Sequence, residues 1–310
     1  MEFSHKSVLL DECIEALNIR PNGIYLDGTL GGAGHSYEIA KRLDSGRLIG
    51  VDRDEVALMA ASQRLEPFAE RVTMVHSNFS EIHSILDELR LEGIDGMLFD
   101  LGVSSPQLDD ASRGFSYMAD APLDMRMNAR DVLSAYEVVN EWDYEELRRI
   151  LYEYGEERYA PSIASAIVKR REQEPIRTTM ELVDIIKGAM PAQALREKQH
   201  PAKRSFQAIR IAVNDELGSV SKMMHAAIER LNPGGRLAVI TFHSLEDRIV
   251  KNAMQEAAKG CTCPPEFPIC VCGKKPRVKL ISRKPILSGA KELEENPRAR
   301  SAKLRVCEKL

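Results

Sequence analysis

Three short apolar runs in the first hundred residues of this 310-residue chain each end at an aspartate, namely Asp27, Asp52 and Asp100. Apolar runs that alternate with helical patterns predict parallel strands, and ligands of such sheets bind beyond the carboxyl ends of the strands. We therefore expect the three carboxylates to converge on one crevice. Carboxylates accept hydrogen bonds and attract cations, so the crevice suits a ligand with hydroxyl groups and a positive charge.

A glycine-rich turn follows the first of these strands and reads DGTLGGAG over residues 27–34. Its glycines are expected to allow positive φ and close approach of the backbone to a ligand. Nicotinamide and flavin folds also use such a turn, but the spacing here is not G-x-G-x-x-G. Asp27 precedes the glycines, where it would repel a pyrophosphate but would receive a methionine ammonium or a water bound to it. The turn therefore predicts binding of S-adenosylmethionine.

Two further residues fit the same ligand. Asp52 closes the second strand, and the number of residues between Asp27 and Asp52 is typical of an acid that accepts both ribose hydroxyls. Asp52 could instead cap the helix that follows. Phe79 follows the third strand, where a residue beside an adenine commonly sits, and core packing is the alternative for a single Phe. Four strand-end positions that converge on one crevice are a better signal than any one of them.

The segment after the fourth strand suggests the acceptor. Asp100 is the first residue of the segment DLGVSSPQ, residues 100–107. Within it, Ser105-Pro106 partly matches the polar residue and proline that methyltransferases of exocyclic amines have at this position. The lone pair of such an amine is delocalised into the ring, so oxygens that accept its hydrogens favour attack and stabilise the developing charge. His243, after the fifth strand, could accept the excess proton; its alternative is to begin the following helix.

The order of elements predicts an α/β fold with an inserted all-helical domain. Strands and helices alternate up to residue 106, residues 107–205 are helical and charged, and strand signals resume at 236–242 after the turn Asn232-Pro233-Gly234-Gly235. The chain would return through a long helix over about 206–231. The sheet domain would then consist of residues 1–106 and 206–310.

The whole chain resembles the RsmH (formerly MraW) family of bacterial 16S ribosomal RNA cytosine-N4 methyltransferases. The residues that carry this resemblance are, in chain order, SHKSVLL at 4–10, DGTLGGAGHS at 27–36, DLGVSSPQLD at 100–109, RGFS at 113–116, PLDMRM at 122–127, HPAKRSFQAIRI at 200–211 and TFHSLEDR at 241–248.

The resemblance implies a Rossmann-like class I S-adenosylmethionine-dependent methyltransferase sheet and methylation of the N4 amine of a cytidine in the decoding region of 16S ribosomal RNA. Its partner would be that RNA or the small ribosomal subunit. It also implies that donor contacts fall on Ala33, Gly34, His35, Asp52, Phe79, Asp100 and Gln107. Ala33 departs from the glycine of many relatives, and its methyl group is tolerated if the local φ is negative.

Four of the six cysteines form two C-x-C pairs, at Cys261, Cys263, Cys270 and Cys272. Four thiolates so close can bind structural Zn²⁺ and hold a loop that lacks its own core; reduced thiols, or disulfides formed on oxidation, are the alternative. No secretory signal or spanning helix is evident, and the cysteine pattern fits a reducing cytoplasm. Residues 274–310 carry a net charge of +8, which suits either contact with RNA or compensation of the acidic remainder.

Two other functions remain open at this stage. A nicotinamide-dependent oxidoreductase would use the same fold, and binding of S-adenosylhomocysteine rather than NAD separates the two. A non-catalytic RNA-binding or ribosome-assembly protein would keep the fold as a platform. If the protein binds RNA, whether as a methyltransferase or as an assembly protein, Lys203, Arg204 and Arg210 would contact phosphate. A solvated helix face is the alternative for these residues.

Overall fold

The computed structural model describes residues 7–261, 263–264, 269 and 271–310, and for residues 105 and 106 it describes the backbone alone. These residues form two compact units. One is a sheet unit of Met1–Gly102 with Leu217–Leu310, and the other is a helical unit of Val103–Glu216. The second crossing between units lies one helix later than the sequence places it, because the helix that starts at Lys203 packs within the helical unit.

The sheet unit is built on seven strands in the order β3-β2-β1-β4-β5-β7-β6. Strands β1 to β5 pair in parallel, whereas β7 is antiparallel to both β5 and β6. The predicted α/β, Rossmann-like sheet is confirmed. The strands are β1 Ile24–Asp27, β2 Arg47–Asp52, β3 Val72–His76, β4 Ile94–Asp100, β5 Leu231–Thr241, β6 Val278–Leu280 and β7 Lys303–Lys309.

The helices divide between the units. In the sheet unit they are α1 Leu10–Leu17, α2 Gly34–Ala40, α3 Glu55–Arg64, α4 Ile82–Glu88, α11 Glu216–Arg230 (whose first residue belongs to the helical unit), α12 Ser244–Ala258 and α13 Ala290–Glu295. In the helical unit they are α5 Ser105–Asp109, α6 Ala135–Glu141, α7 Tyr144–Glu153, α8 Ala160–Arg171, α9 Thr179–Ala189 and α10 Lys203–Asn214.

Alternate residues of the central strands enter two different cores. Leu26, Ile49 and Phe99 pack in a cluster with residues of α4, α11 and α12. Their chain neighbours Leu48 and Leu98 pack on the opposite face with residues of α1, α2 and α3. Because side chains alternate across a strand, a run that is apolar at every position is buried on both faces. Both faces are covered by helices, and the functional groups are left to the strand ends.

The helical unit has a core of its own. Its buried side chains come from α6 to α10 and from the segment that precedes them. Asn214, which is 2% exposed, ties that segment to α10: its Oδ1 accepts from the Met127 amide, and its Nδ2 donates to the carbonyls of Met125 and Arg210, each at 2.8 Å. Among the described residues of this unit, extended pairing is limited to one isolated bridge between Pro122 and Thr178.

Two predictions about the carboxyl-terminal half are wrong, and one feature was not anticipated. The return helix is broken at Asp215, whose φ of 44° separates α10 from α11. The turn Asn232-Pro233-Gly234-Gly235 lies inside β5, where the register with β4 shifts and Gly234 has a φ of 78°. The basic tail contains two strands, β6 and β7, that the sequence analysis did not anticipate. In the part of the chain that the structure describes, no helix is long and apolar enough to cross a membrane.

Candidate functional site

The carboxyl ends of β1, β2 and β4 form one edge, because β1 pairs in parallel with β2 on one side and with β4 on the other. Asp27, Asp52 and Asp100 are the last residues of these strands. Strand order reverses at β1, since the chain proceeds from β1 outward to β3 and then returns to β4. The three carboxylates therefore lie at the switch point where ligands of open α/β sheets bind.

The turn after β1 is bonded to both neighbouring strands. The Gly28 amide donates to the Leu98 carbonyl of β4 at 2.9 Å, and the Leu30 amide donates to the Val51 carbonyl of β2 at 3.1 Å. The Gly31 amide donates to Asp52 Oδ2 at 2.8 Å. The turn is thus held in one conformation before any ligand binds, which lowers the entropy lost on binding.

The glycines of the turn have different roles from those predicted. Of the four, Gly31 alone has a positive φ, at 48°. A Cβ on Gly28 would lie 2.1 Å from the ring of Phe99, and one on Gly34 would lie 1.8 Å from Ser7 Oγ. Gly28 and Gly34 are therefore required for close packing of the protein against itself.

Ala33 does not meet the condition that the sequence analysis set for its methyl group. Its φ is 55° and its ψ is 30°, in the left-handed region, directly before α2. A non-glycine residue there costs about 1–2 kcal/mol, and burial of one methyl group offsets about 0.8 kcal/mol of this. Ala33 is fully buried against the core that contains Ile39, so packing holds the strained backbone in place.

Asp27 is buried and already bonded. Its Oδ1 accepts from the Thr29 amide at 3.1 Å, and its Oδ2 accepts from Ser36 Oγ at 2.6 Å. Burial raises the pKa of Asp27, while the hydrogen bonds from Ser36 and Thr29 oppose that rise. Each carboxylate oxygen has two lone pairs, so both atoms keep the capacity to accept one more donor.

Asp100 is the unsatisfied member of the set. Its Oδ1 is buried and has no hydrogen-bond partner among the described residues. Burial raises the pKa of Asp100 to about 8, with smaller contributions from the negative charges of Asp27 and Glu246. The backbone is fixed independently, because the Asp100 amide donates to Thr29 Oγ1 at 2.6 Å. The edge thus holds a carboxyl group whose ionised form lacks a counterion.

Asp52 bridges two loops. Besides the Gly31 amide, it accepts the amide of Asp54 on Oδ1 at 2.9 Å. Burial raises the pKa of Asp52 to about 6, and these two amide bonds oppose the rise. The alternative in which Asp52 caps α3 is wrong, because Asp54 is the N-cap and accepts from the Val56 amide at 3.1 Å. Asp52 therefore retains lone pairs for a ligand.

Phe79 and His35, which the sequence assigns to the donor, both have partners within the protein. Phe79 packs edge-on against Phe99 with ring centroids 6.0 Å apart, so its core-packing alternative is observed. His35 is 5% exposed, and its Nε2 lies 3.0 Å from the Val8 carbonyl. Burial lowers the pKa of His35 to about 4, so the ring is neutral at pH 7 and donates to Val8. Their predicted contacts with a donor stay predictions.

Two groups of predicted residues lie in the helical unit. Gln107 is 5% exposed. Its side-chain Oε1 accepts from the backbone amide of Ser104 at 3.0 Å, and its backbone amide donates to Ser104 Oγ at 3.4 Å. This reciprocal pattern is like a capping box. The backbone of Ser105 and Pro106 begins α5, but their side chains lie outside the described residues. Their roles at the acceptor stay predictions.

His243 precedes α12 as its N-cap. The Glu246 amide donates to His243 Nδ1 at 3.5 Å, and His243 Nε2 lies 3.1 Å from Glu246 Oε1. With Nδ1 as acceptor, the proton of the neutral ring is assigned to Nε2. The Nδ1 lone pair is then engaged at the start of α12, whereas Nε2 is buried without a hydrogen-bond partner among the described residues. The helix-beginning role is observed, and the role of His243 as proton acceptor stays a prediction.

Several cationic side chains of the helical unit are engaged in ion pairs. Arg126 binds Asp124 through both Nε and Nη2, at 2.9 and 2.7 Å, and Arg210 binds Glu216 in the same bidentate manner. Asp124 and Arg126 therefore form a structural ion pair within this unit. Lys203 is exposed at the start of α10.

The structure brings three of the four predicted metal ligands together. The sulfur atoms of Cys261, Cys263 and Cys272 all lie within 4.8 Å of one another. Cys270 lies outside the described residues.

Sequence reasoning missed three residues that organise the site. Thr29 positions β4, Ser36 holds Asp27, and Glu246 contributes to the field at Asp100. Thr29 and Ser36 stand within the glycine-rich segment, where hydroxyl side chains beside a buried acid were a usable signal. Glu246, which is 1% exposed, accepts the Phe242 amide at 2.9 Å, and a buried Glu that begins a helix shows no distinct sequence pattern.

The profile of the MraW methylase family matches residues 2–310. A ribosomal RNA small subunit methyltransferase H of Brevibacillus brevis is 60% identical over 311 residues, which cover 100% of this chain and 99% of the relative. Proteins of the same name from Heliobacterium mobile and Clostridium botulinum are 57% and 58% identical, over 100% of both chains in each case.

The solved structures that match the chain are more distant from it in sequence than these relatives. A putative rRNA methylase from Clostridium thermocellum is 11% identical with a TM-score of 0.46, covering 99% of this chain and 100% of that one. A putative methyltransferase from Streptococcus mutans in complex with SAH is 13% identical with a TM-score of 0.43, with coverage of 99% and 100%.

The ionisation of Asp100 predicts a pH-dependent stability. A carboxyl group whose pKa is raised from 3.8 to about 8 on folding binds its proton more tightly in the folded state. The free energy of unfolding therefore falls as the pH rises from about 4 to about 8. We expect the margin by which Asp100→Asn, which cannot ionise, exceeds the wild type to grow by about 3 kcal/mol between about pH 5.5 and about pH 8.5.

Urea denaturation at the two pH values, without ligand, measures this difference. Asp44→Asn, at an exposed position, is the control and should match the wild type at both. If Asp100→Asn and the wild type lose stability in parallel as the pH rises, Asp100 is not the buried, uncompensated acid.

Proposed function

Because the chain belongs to the MraW methylase family, we propose that this methyltransferase transfers a methyl group from S-adenosylmethionine to the N4 amine of a cytidine in the decoding region of 16S ribosomal RNA. The observation that carries the proposal is the sheet edge at which Asp27, Asp52 and Asp100 end three adjoining strands. The names of relatives that are 56–60% identical supply the substrate class.

The charges at this edge fit the donor. S-adenosylmethionine supplies an activated methyl group on a sulfonium, and it also carries an ammonium group. Asp27 and Asp100 are close enough for the charge of Asp27 to raise the pKa of Asp100, so a bound cation relieves their repulsion. A dinucleotide would bring a pyrophosphate to the same edge and increase that repulsion. This favours S-adenosylmethionine over a nicotinamide cofactor.

The remaining donor contacts follow from position. Asp52 accepts one amide on each oxygen and keeps lone pairs for the ribose hydroxyls. Phe79 stands after β3 with its ring against Phe99, on the side where an adenine is expected. Ala33, Gly34 and His35 begin α2 and are assigned to the donor by the family resemblance. Gln107 is assigned to it on the same ground.

Asp100 has a second task at the acceptor. The amino group of cytosine is a poor nucleophile because its lone pair is delocalised into the ring. A carboxylate that accepts one of its hydrogens localises that pair and stabilises the positive charge that develops on the nitrogen. Ser105 and Pro106 follow in the sequence, and we assign the second acceptor of an amine hydrogen to this segment. Water or Asp100 then receives the excess proton.

The RNA partner is proposed from the family and from charge. Lys203 is an exposed cation of the helical unit, and Arg204 donates to the Glu156 carbonyl at 3.1 Å while remaining partly exposed. A cytidine within folded RNA must be turned outward to reach a crevice at a sheet edge. We propose a cytoplasmic location, because ribosomal RNA and the small subunit that contains it are the expected partners.

Transfer of labelled methyl groups tests the reaction. With tritiated S-adenosylmethionine and small subunits from cells lacking the enzyme, we expect label on N4 of one cytidine in 16S ribosomal RNA. Asp100→Ala should lower the rate by at least about 100-fold, the usual contribution of a positioned charge at a reacting group. Absence of label on cytidine would leave the non-catalytic RNA-binding or assembly role as the explanation, and near-normal turnover of Asp100→Ala would remove Asp100 from the site.

The role of His243 is separated by two substitutions. Asn is a good N-cap but no base, so His243→Asn should keep kcat within about tenfold of the wild type if the ring serves to begin α12. His243→Ala should lose about 0.5–2 kcal/mol of stability, measured by urea denaturation. A loss of kcat of about 100-fold or more in His243→Asn, with stability retained, would instead make His243 the proton acceptor.

A further inference from the structure

A cluster of three cysteine sulfurs lies between α12 and β6, away from the strand ends that form the crevice. Cys272 Sγ is 3.7 Å from Cys261 Sγ, and the sulfur of Cys263 is within 4.8 Å of both. Zn–S bonds of about 2.3 Å at tetrahedral angles set two sulfurs about 3.8 Å apart. The observed spacing fits two ligands on one zinc ion, as it also fits the hydrogen bond between the two thiols, and it is far longer than a disulfide bond.

Burial does not explain why these side chains meet. Cys261 and Cys272 are exposed, although cysteine is among the residue types most often found in protein interiors. Two apolar neighbours, Ile269 and Val271, are 74% and 72% exposed. The described part of this segment thus has no hydrophobic core to hold it, and a metal is the common means of fixing such a loop.

Backbone amides point at the sulfurs. The Cys263 amide donates to Cys261 Sγ, and the Val271 amide donates to Cys263 Sγ, each at 3.4 Å. Amide donors of this kind stabilise the negative charge of a thiolate and orient it, as the outer contacts of metal ligands do. Sulfur atoms that receive amide donors in this way have the outer contacts expected of metal ligands.

Both ends of the segment are fixed to the sheet unit. The Arg277 amide donates to the Ala257 carbonyl at 2.8 Å, and Lys274 forms an ion pair with Glu256. Because the ends of the loop are already held together, the thiols start close to each other. Less chain entropy is then lost when a metal binds than in an open chain.

We propose that Cys261, Cys263 and Cys272 are ligands of a structural Zn²⁺ ion. Binding replaces the proton of each thiol by a Zn–S bond, and the protons go to solvent. Strand β7 runs antiparallel to β5 and β6, and its last residue, Lys309, pairs with Val278 at the start of β6. The loop before β6 therefore lies at the edge of the sheet opposite the carboxyl ends of β1, β2 and β4, so the ion has no catalytic role. The bound ion would hold the loop next to Lys274 and Arg277 in one conformation.

Metal content tests the proposal on the full-length protein, purified with a reductant and without chelator. Elemental analysis should give about one zinc per chain. Replacement by Co²⁺ should give the visible absorption of a tetrahedral cobalt thiolate. Cys261→Ser and Cys272→Ser, at exposed positions, should fold as judged by circular dichroism and lose most of the zinc. Cys307→Ala, at a buried position in β7, is the matched control and should keep it.

Three results would overturn the site. The first is a wild-type protein that, reduced and supplied with Zn²⁺, retains less than about 0.2 zinc per chain after gel filtration. The second is retention of one zinc by both serine variants. The third is equal loss of zinc in Cys307→Ala, which would move the metal away from the cluster. Because the readout is metal content, its failure leaves the proposed methyl transfer untouched.

Discussion

Three carboxyl groups at neighbouring strand ends, that of Asp27 buried and the other two half-buried, are the constraint on which the donor site depends. The order β2-β1-β4 forces Asp27, Asp52 and Asp100 onto one edge, where burial raises the pKa of each. Asp27 and Asp52 accept hydrogen bonds from Thr29, Ser36, Gly31 and Asp54, so their charges are partly compensated. Asp100 Oδ1 has no such partner among the described residues. The folded protein thus keeps one carboxyl group that a cation would satisfy.

The surrounding structure fixes the positions of these acids but does not compensate the charge of Asp100. The turn after β1 is bonded to β2 and β4, Thr29 fixes the backbone of Asp100, and packing keeps Ala33 in a left-handed conformation. A loss of folding stability through backbone strain and an uncompensated carboxyl group is typical of functional sites. Such sites keep a group in the charge state that the chemistry needs.

The sequence was sufficient for the ends of β1, β2 and β4, because each of these strands contains an apolar run that stops at an aspartate. It was not sufficient where local and tertiary effects oppose each other. Strand β7 alternates charged and apolar residues, and its Arg305 and Lys303 bind Asp247, so a segment counted as a basic tail is part of the sheet with its charges paired. The break at Asp215 rests on one backbone angle. The glycines pack against Phe99 and Ser7, neighbours that no local pattern reveals.

If S-adenosylmethionine binds at this edge as proposed, its positive charge takes the place of the proton on Asp100. Isothermal titration calorimetry of S-adenosylmethionine at pH 7, repeated in buffers of different ionisation enthalpy, counts the protons exchanged on binding. A carboxyl group with a pKa of about 8 is mostly protonated at that pH, so the wild type should release close to one proton and Asp100→Asn close to none. Binding of the donor to the wild type without proton release would contradict the account.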